Sequence, residues 1–225
     1  MPRQALVRSV TLPAGGVTLA GDLALPEEPQ GVVLFVHGSG SSRHSPRNRF
    51  VAERLQAVGL ATLLFDLLTE EEEAVDLRTA HLRFDIDLLT RRVLDALAWV
   101  ARQPQTGPLR VGLFGASTGA AAALVAAAER PGAVAAVVSR GGRPDLAGEA
   151  VLRRVRAPTL LIVGERDAPV LALNREALAI LGGEKALEIV PGATHLFEEP
   201  GALEEVARLA ADWFIRHLST PPPMA

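Results

Sequence analysis

The feature that most constrains this chain is a succession of short apolar runs, each followed by a stretch with helical spacing. Residues 31–36 (GVVLFV), 60–65 (LATLLF), 109–114 (LRVGLF), 133–138, 158–163 and 186–190 form the series. A strand is apolar along its whole length when helices cover both faces of its sheet, and the segments between these runs are mostly long enough for parallel crossovers. Two earlier β-rich segments, 7–12 and 17–25, are separated by Pro13-Ala14-Gly15-Gly16 and predict an antiparallel hairpin. The expectation is therefore an α/β fold: a mostly parallel eight-stranded sheet with helices on both faces, near 46–58, 84–102, 117–130, 147–155, 170–181 and 201–217. The last helix carries Leu203, Val206, Leu209, Ala210, Trp213 and Phe214 at helical spacing, so it is expected to pack on the sheet before the chain runs into Pro221-Pro222-Pro223. With 225 residues and no repeat or linker, one domain over 1–225 is expected.

Composition narrows the function. The formal charge of -3 gives no electrostatic reason to expect nucleic acid or an anionic membrane as partner. Cysteine is absent, so disulfides, thiolate metal sites and a Cys nucleophile are ruled out. No stretch has the character of a signal peptide or a membrane span, and a soluble cytoplasmic protein is expected. There is no P-loop, no dinucleotide fingerprint and no HExxH spacing, so neither cofactor nor metal is implied. The run Glu70–Glu73 reads as a solvated helix start or loop rather than as a metal site.

The sharpest motif is Gly115-Ala116-Ser117-Thr118-Gly119, set between a strand and an Ala-rich helix. A serine in that position occupies a tight, strained turn, and glycine two residues to either side leaves room for it: a nucleophile elbow. The hydroxyl needs a base. Of His37, His44, His81, His195 and His217, His195 is the candidate, in the loop Pro191-Gly192-Ala193-Thr194-His195 past the last strand. An acid should stand between serine and histidine in chain order and follow a strand. Asp167 in Gly164-Glu165-Arg166-Asp167 does so, against the plainer reading of a helix N-cap and with Glu165 and Asp145 as competitors. The oxyanion of a tetrahedral intermediate would be held by the backbone N–H of Thr118 and of Ser39, with Gly40 as second choice, in the loop His37-Gly38-Ser39-Gly40. His37 itself is expected to be a buried residue that shapes that loop. In the segment 139–148, Arg140 and Arg143 are candidates for binding a substrate carboxylate; the competing reading makes both of them surface loop residues.

Taken in order, the HGSG, GASTG, GERD and GATH loops resemble those of the α/β-hydrolase superfamily over nearly the whole chain. The short interval between the sixth and seventh strands leaves no room for the helical cap of larger relatives. Within the superfamily, Asp66-Leu67-Leu68-Thr69 followed by Arg83-Phe84-Asp85 most resembles the dienelactone-hydrolase-like branch. Dienelactone hydrolases proper carry a Cys nucleophile and a Glu at the end of the third strand, where this chain has Ser117 and His37. The resemblance implies a capless serine hydrolase of small to medium carboxylic esters, acting through an acyl-enzyme. The alternatives are a lactone hydrolase, an acyltransferase or perhydrolase using the same three residues, and a binding module that kept the fold.

Overall fold

The computed structural model describes residues 5–219; the first four residues and the prolines at 221–223 lie outside that range. The eight strands are β1 (Leu6–Ala14), β2 (Val17–Leu25), β3 (Val32–Val36), β4 (Ala61–Phe65), β5 (Val111–Ala116), β6 (Ala136–Arg140), β7 (Thr159–Gly164) and β8 (Lys185–Val190). They form one sheet in the order β1-β2-β4-β3-β5-β6-β7-β8. β1 and β2 pair as the expected hairpin, β2 joins β4 antiparallel, and every pairing from β4 to β8 is parallel.

Among the described residues seven helices pack around the sheet: α1 (Pro46–Ala57), α2 (Glu70–Thr79), α3 (Ile86–Arg102), α4 (Thr118–Glu129), α5 (Glu149–Leu152), α6 (Ala168–Ile180) and α7 (Ala202–Leu218). Side-chain alternation along the strands splits the core into two layers. On one face Leu34, Leu63, Leu113, Val137 and Leu161 pack with α3 and α4. On the other, Phe35, Phe114, Val138 and Ile162 pack with α1 and α7. Phe35 and Phe114 are fully buried with ring centroids 4.9 Å apart, and burying each such ring contributes roughly 1.5–3 kcal/mol. Phe214 of α7 lies directly over Gly112 of β5, so the last helix packs on the sheet as its spacing predicts.

The glutamate run opens α2. Thr69 caps it, accepting from the Glu72 amide at 3.2 Å while Glu72 Oε2 accepts from the Thr69 amide at 2.9 Å, a capping box that accounts for a helix starting in four acidic residues. One expectation needs correction. The sixth strand runs Ala136–Arg140 rather than 133–138, because β5 continues to Ala116 and its pairing draws in Ser139 and Arg140 opposite Gly115 and Ala116. Arg140 is thus a strand residue, buried, and not part of a surface loop.

β4 lies on one side of β3 and β5 on the other, so the connections leaving β3 and reaching β5 diverge. Their carboxyl ends border the crevice in which open α/β sheets bind ligands. Between β6 and β7, residues 141–158 contain a 3₁₀ turn (Pro144–Ala147) and the single-turn α5, and no cap crosses the crevice. No helix among the described residues is long and apolar enough to cross a membrane.

Candidate active site

Ser117 stands at the junction of β5 and α4 with φ 51° and ψ -122°, backbone that a side chain adopts only under constraint. Its glycine neighbours show the constraint. A Cβ on Gly119 would come within 2.2 Å of the Val36 carbonyl oxygen, and one on Gly115 within 2.5 Å of Ala120 Cα. The turn is pinned from β6 as well: the Ser117 amide donates to the Arg140 carbonyl at 3.2 Å, and the Arg143 amide donates to the Ser117 carbonyl at 3.1 Å.

Asp167 and His195 meet as expected, with Nδ1 of the ring 2.6 Å from Asp167 Oδ2. Asp167 does occupy the N-cap position of α6, yet its side chain makes no capping bond; the carboxylate is directed at the imidazole instead. Its competitors are engaged elsewhere. Glu165 Oε2 accepts from the Gly192 amide at 2.7 Å, which ties the loop after β7 to the loop carrying His195. Asp145 takes a bidentate bond from Arg143 at 2.8 and 2.7 Å. The Asp167 bond fixes the proton on Nδ1 and leaves Nε2 as the basic nitrogen.

Gly141, with φ +51°, links base and elbow. A Cβ there would lie 3.4 Å from His195 Cε1, so the imidazole rests on the backbone one residue past the carbonyl that holds the Ser117 amide. Among the described residues no hydrogen bond joins Ser117 to His195. Such contacts are often long in an unliganded enzyme and tighten when substrate arrives. The side chain of His195 is 39% exposed and that of Asp167 12%, so the imidazole is the more accessible member of the pair.

The amide of Thr118, first residue of α4, has no intrahelical acceptor and lies at the positive end of the helix. The Ser39 amide donates to Thr118 Oγ1 at 2.9 Å, a contact with no local sequence signal. His37 is buried and doubly bonded: Nε2 accepts from the Leu67 amide at 3.0 Å, so Nδ1 carries the proton and donates to the Gly38 carbonyl at 2.9 Å. Burial pulls its pKa below the ordinary value, the Gly38 bond opposing, so His37 is a neutral strut between the ends of β3 and β4 and not a second base. Beyond it, Arg43 pairs with Asp66 and anchors the rest of the loop. His44 and His81 are exposed. His217, 3.6 Å from Glu184, lies on the last turns of α7.

An elbow serine at the end of a central strand of such a sheet, with an imidazole held by a carboxylate on the loops after the following strands, is the arrangement of the α/β-hydrolase fold. The chain belongs to the dienelactone hydrolase family, whose model matches residues 19–220. It is 60% identical to a dienelactone hydrolase from Anabaena variabilis, whose crystal structure it overlays with a TM-score of 0.94 over 96% of this chain and all of that one. Est1E from Butyrivibrio proteoclasticus shares the fold at 15% identity, with a TM-score of 0.78 over 93% of this chain and 98% of that one. A Mycobacterium tuberculosis protein named "Putative phosphoribosyl transferase" is 62% identical over 95% of this chain; the chain spans about half, 47%, of that relative's length.

Proposed function

We propose that this chain is a serine hydrolase of small to medium carboxylic esters. The observation that carries the reading is the 2.6 Å bond between Asp167 and His195 beside a strained elbow serine. In the proposed reaction Ser117 Oγ attacks the ester carbonyl carbon while His195 Nε2 takes its proton, and Asp167 stabilises the imidazolium that forms. The tetrahedral oxyanion is held by the Thr118 amide and by that of Ser39, once it leaves Thr118 Oγ1, with Gly40 as second choice. The intermediate collapses by breaking the bond to the alcohol oxygen, which leaves with the proton from His195. A water, deprotonated by the same nitrogen, then attacks the acyl-enzyme and returns Ser117 to its starting state.

The chemistry needs no cofactor, and the substrate we propose is a small molecule met in the cytoplasm by a single domain spanning the chain. A lactone is the second reading. It is supported by the 60% identity to the Anabaena variabilis dienelactone hydrolase and by the fact that attack on a cyclic ester uses the same groups. An alcohol or peroxide in place of water would make the same site a transferase or perhydrolase. The Mycobacterium tuberculosis relative with a transferase name is more than twice as long as the stretch this chain matches.

Labelling with a fluorophosphonate probe, which requires a competent serine, tests the reading together with turnover of 4-nitrophenyl esters. Labelling at Ser117, lost in Ser117→Ala, is expected; an unlabelled, inactive protein would identify a binding module.

A further inference from the structure

Helix α6 carries a polar residue where its spacing asks for an apolar one. Val170, Leu171, Asn174 and Ala177 recur at helical intervals and form its buried side. Val170 and Leu171 pack on Val163 of β7, and Ala177 joins the main core. Asn174 is fully buried among them. Asparagine forms helices less readily than leucine or alanine, and Asn174 Oδ1 has no hydrogen-bond partner among the described residues. An acceptor buried without a partner is costly, so the gain that offsets it lies in the other half of the amide.

Asn174 Nδ2 donates twice. One bond, of 2.8 Å, goes to the Val170 carbonyl one turn back; the other leaves the helix for the Gly142 carbonyl at 2.9 Å. Both partners are acceptors, which fixes the orientation of the amide. The Val170 carbonyl is of the kind that an α-helix already satisfies, whereas Gly142 belongs to the segment after β6.

That segment is a strap on which the catalytic groups rest. The Arg140 carbonyl accepts from the Ser117 amide at 3.2 Å, Gly141 lies against the His195 ring, and the Arg143 amide donates to the Ser117 carbonyl at 3.1 Å. Gly142, between them, is pressed on its neighbours: a Cβ there would come within 1.9 Å of Ser139 Oγ and 2.6 Å of Ala120 Cβ. Contact with β6 and α4 limits its movement in that direction, and the Asn174 amide holds its carbonyl. The same helix begins beside Asp167, whose carboxylate holds His195. α6 thus reaches the base through its N-cap residue and the serine through Asn174, two turns further on.

We propose that Asn174 is a positioning residue for the reaction: by holding the Gly142 carbonyl it sets the strap, and with it the separation of Ser117 Oγ from His195 Nε2. It touches no substrate and moves no proton. The assignment rests on the serine-hydrolase reading and adds to it a residue that acts through Ser117 and His195.

Two substitutions in the full chain test it, with Tm measured alongside. Asn174→Leu is close in volume, suits the helix and removes both donors. Well below its Tm, kcat for 4-nitrophenyl butyrate should fall about 10- to 100-fold, the scale of a misplacement of reacting groups by an ångström or less, while KM changes by less than about 3-fold. Fluorophosphonate labelling of Ser117 should slow in parallel, because it uses the same serine and imidazole. Asn174→Asp keeps the outline of the side chain and carries the test should Asn174→Leu not fold. Its carboxylate donates nothing, its protonated form donates one O–H, and burial favours the protonated form. Its kcat relative to wild type should therefore rise several-fold as pH is lowered from 8 to 6, a profile that a role in packing alone would not give. Wild-type kcat in both variants, a loss confined to KM, or a loss of rate that only follows the folded fraction would overturn the positioning role and leave the hydrolase standing. A wild type that neither labels nor cleaves ester would instead overturn the hydrolase reading, and with it the role that depends on it.

Discussion

The Ser39 amide donates to the Thr118 hydroxyl at 2.9 Å, joining the loop after β3 to the first residue of α4. Both residues were expected from sequence to act through their amides, yet the single N–H of Ser39 is taken up by the Thr118 hydroxyl, so it reaches an oxyanion only by sharing or leaving that bond. Thr118→Val preserves shape and removes the acceptor, leaving the Ser39 N–H unaligned. Losing an oxyanion donor outright costs a factor of about 100 to 1,000, so misaligning one should lower kcat by roughly 10-fold. Thr118→Ser keeps the acceptor and should stay near wild type. Steady-state kinetics on a 4-nitrophenyl ester would read this, and a fully active Val variant would show that the hydroxyl merely occupies the amide.

Asp167 separates catalysis from helix capping. Because its carboxylate holds His195 and makes no capping bond, Asp167→Asn should lower kcat by about 1,000- to 10,000-fold through loss of the required tautomer. The same variant should change Tm little, since the ~1 kcal/mol that an N-cap side chain contributes is not being made here. A large drop in Tm with modest loss of rate would restore the capping interpretation.

Ala at position 119 or 115 should damage the fold before it damages chemistry. The added methyl at 119 would meet the carbonyl oxygens of Val36 and His37 at 2.2 and 2.4 Å, and neither strand end can retreat without breaking pairing. Overpacking of this kind costs typically 1–3 kcal/mol and can exceed it against backbone, so denaturant midpoints should fall for both variants. At Gly132 a Cβ meets nothing within 4 Å, and Gly132→Ala serves as the control.

Stability should decline on the acid side of neutrality because of His37. Its folded-state pKa lies below the ordinary 6.5, chiefly through burial, so the unfolded chain binds more protons than the folded one as pH drops through 6.5. The associated stability is fully present above that value and is lost as pH falls toward the folded pKa. His217, lowered chiefly by burial and opposed by Glu184, adds in the same direction. Unfolding free energy measured by urea at pH 7.5 and 5.5 should fall in the wild type, and His37→Gln should reduce the difference; an unchanged difference would locate the proton uptake elsewhere.

The elements were legible in the sequence where local pattern decides them: the hairpin at Gly15-Gly16, the elbow, and the loops placing Asp167 and His195. The slip at β6 has a physical origin. Apolar residues begin at Ala133, but the Ala133 amide bonds back to Arg130 in a turn, while the strand is drawn forward by ladders to β5 and β7. Pairing with distant strands overrode the polar character of Ser139 and Arg140, which had read as loop. The Thr118 hydroxyl on the Ser39 amide is likewise tertiary, and no local spacing announces it.

The crevice itself predicts which acyl chains fit. Residues 141–158 hold a 3₁₀ turn and a single-turn helix, and the segments that reach Ser117 or the His195 ring are Gly38 and the backbone of Arg140, Gly141 and Arg143. None of these supplies a long apolar trough, and without one a long chain would keep most of its methylenes in water. Each methylene left unburied forgoes about 0.8 kcal/mol, so lengthening the acyl group past the pocket adds no binding while its conformational freedom is still restricted near the carbonyl. Over a series of neutral 4-nitrophenyl esters from acetate to palmitate, kcat/KM should peak at two to four carbons or so and fall by at least about 10-fold at palmitate. A maximum at long chains would require an apolar channel that opens on binding, and with it a different account of residues 141–158.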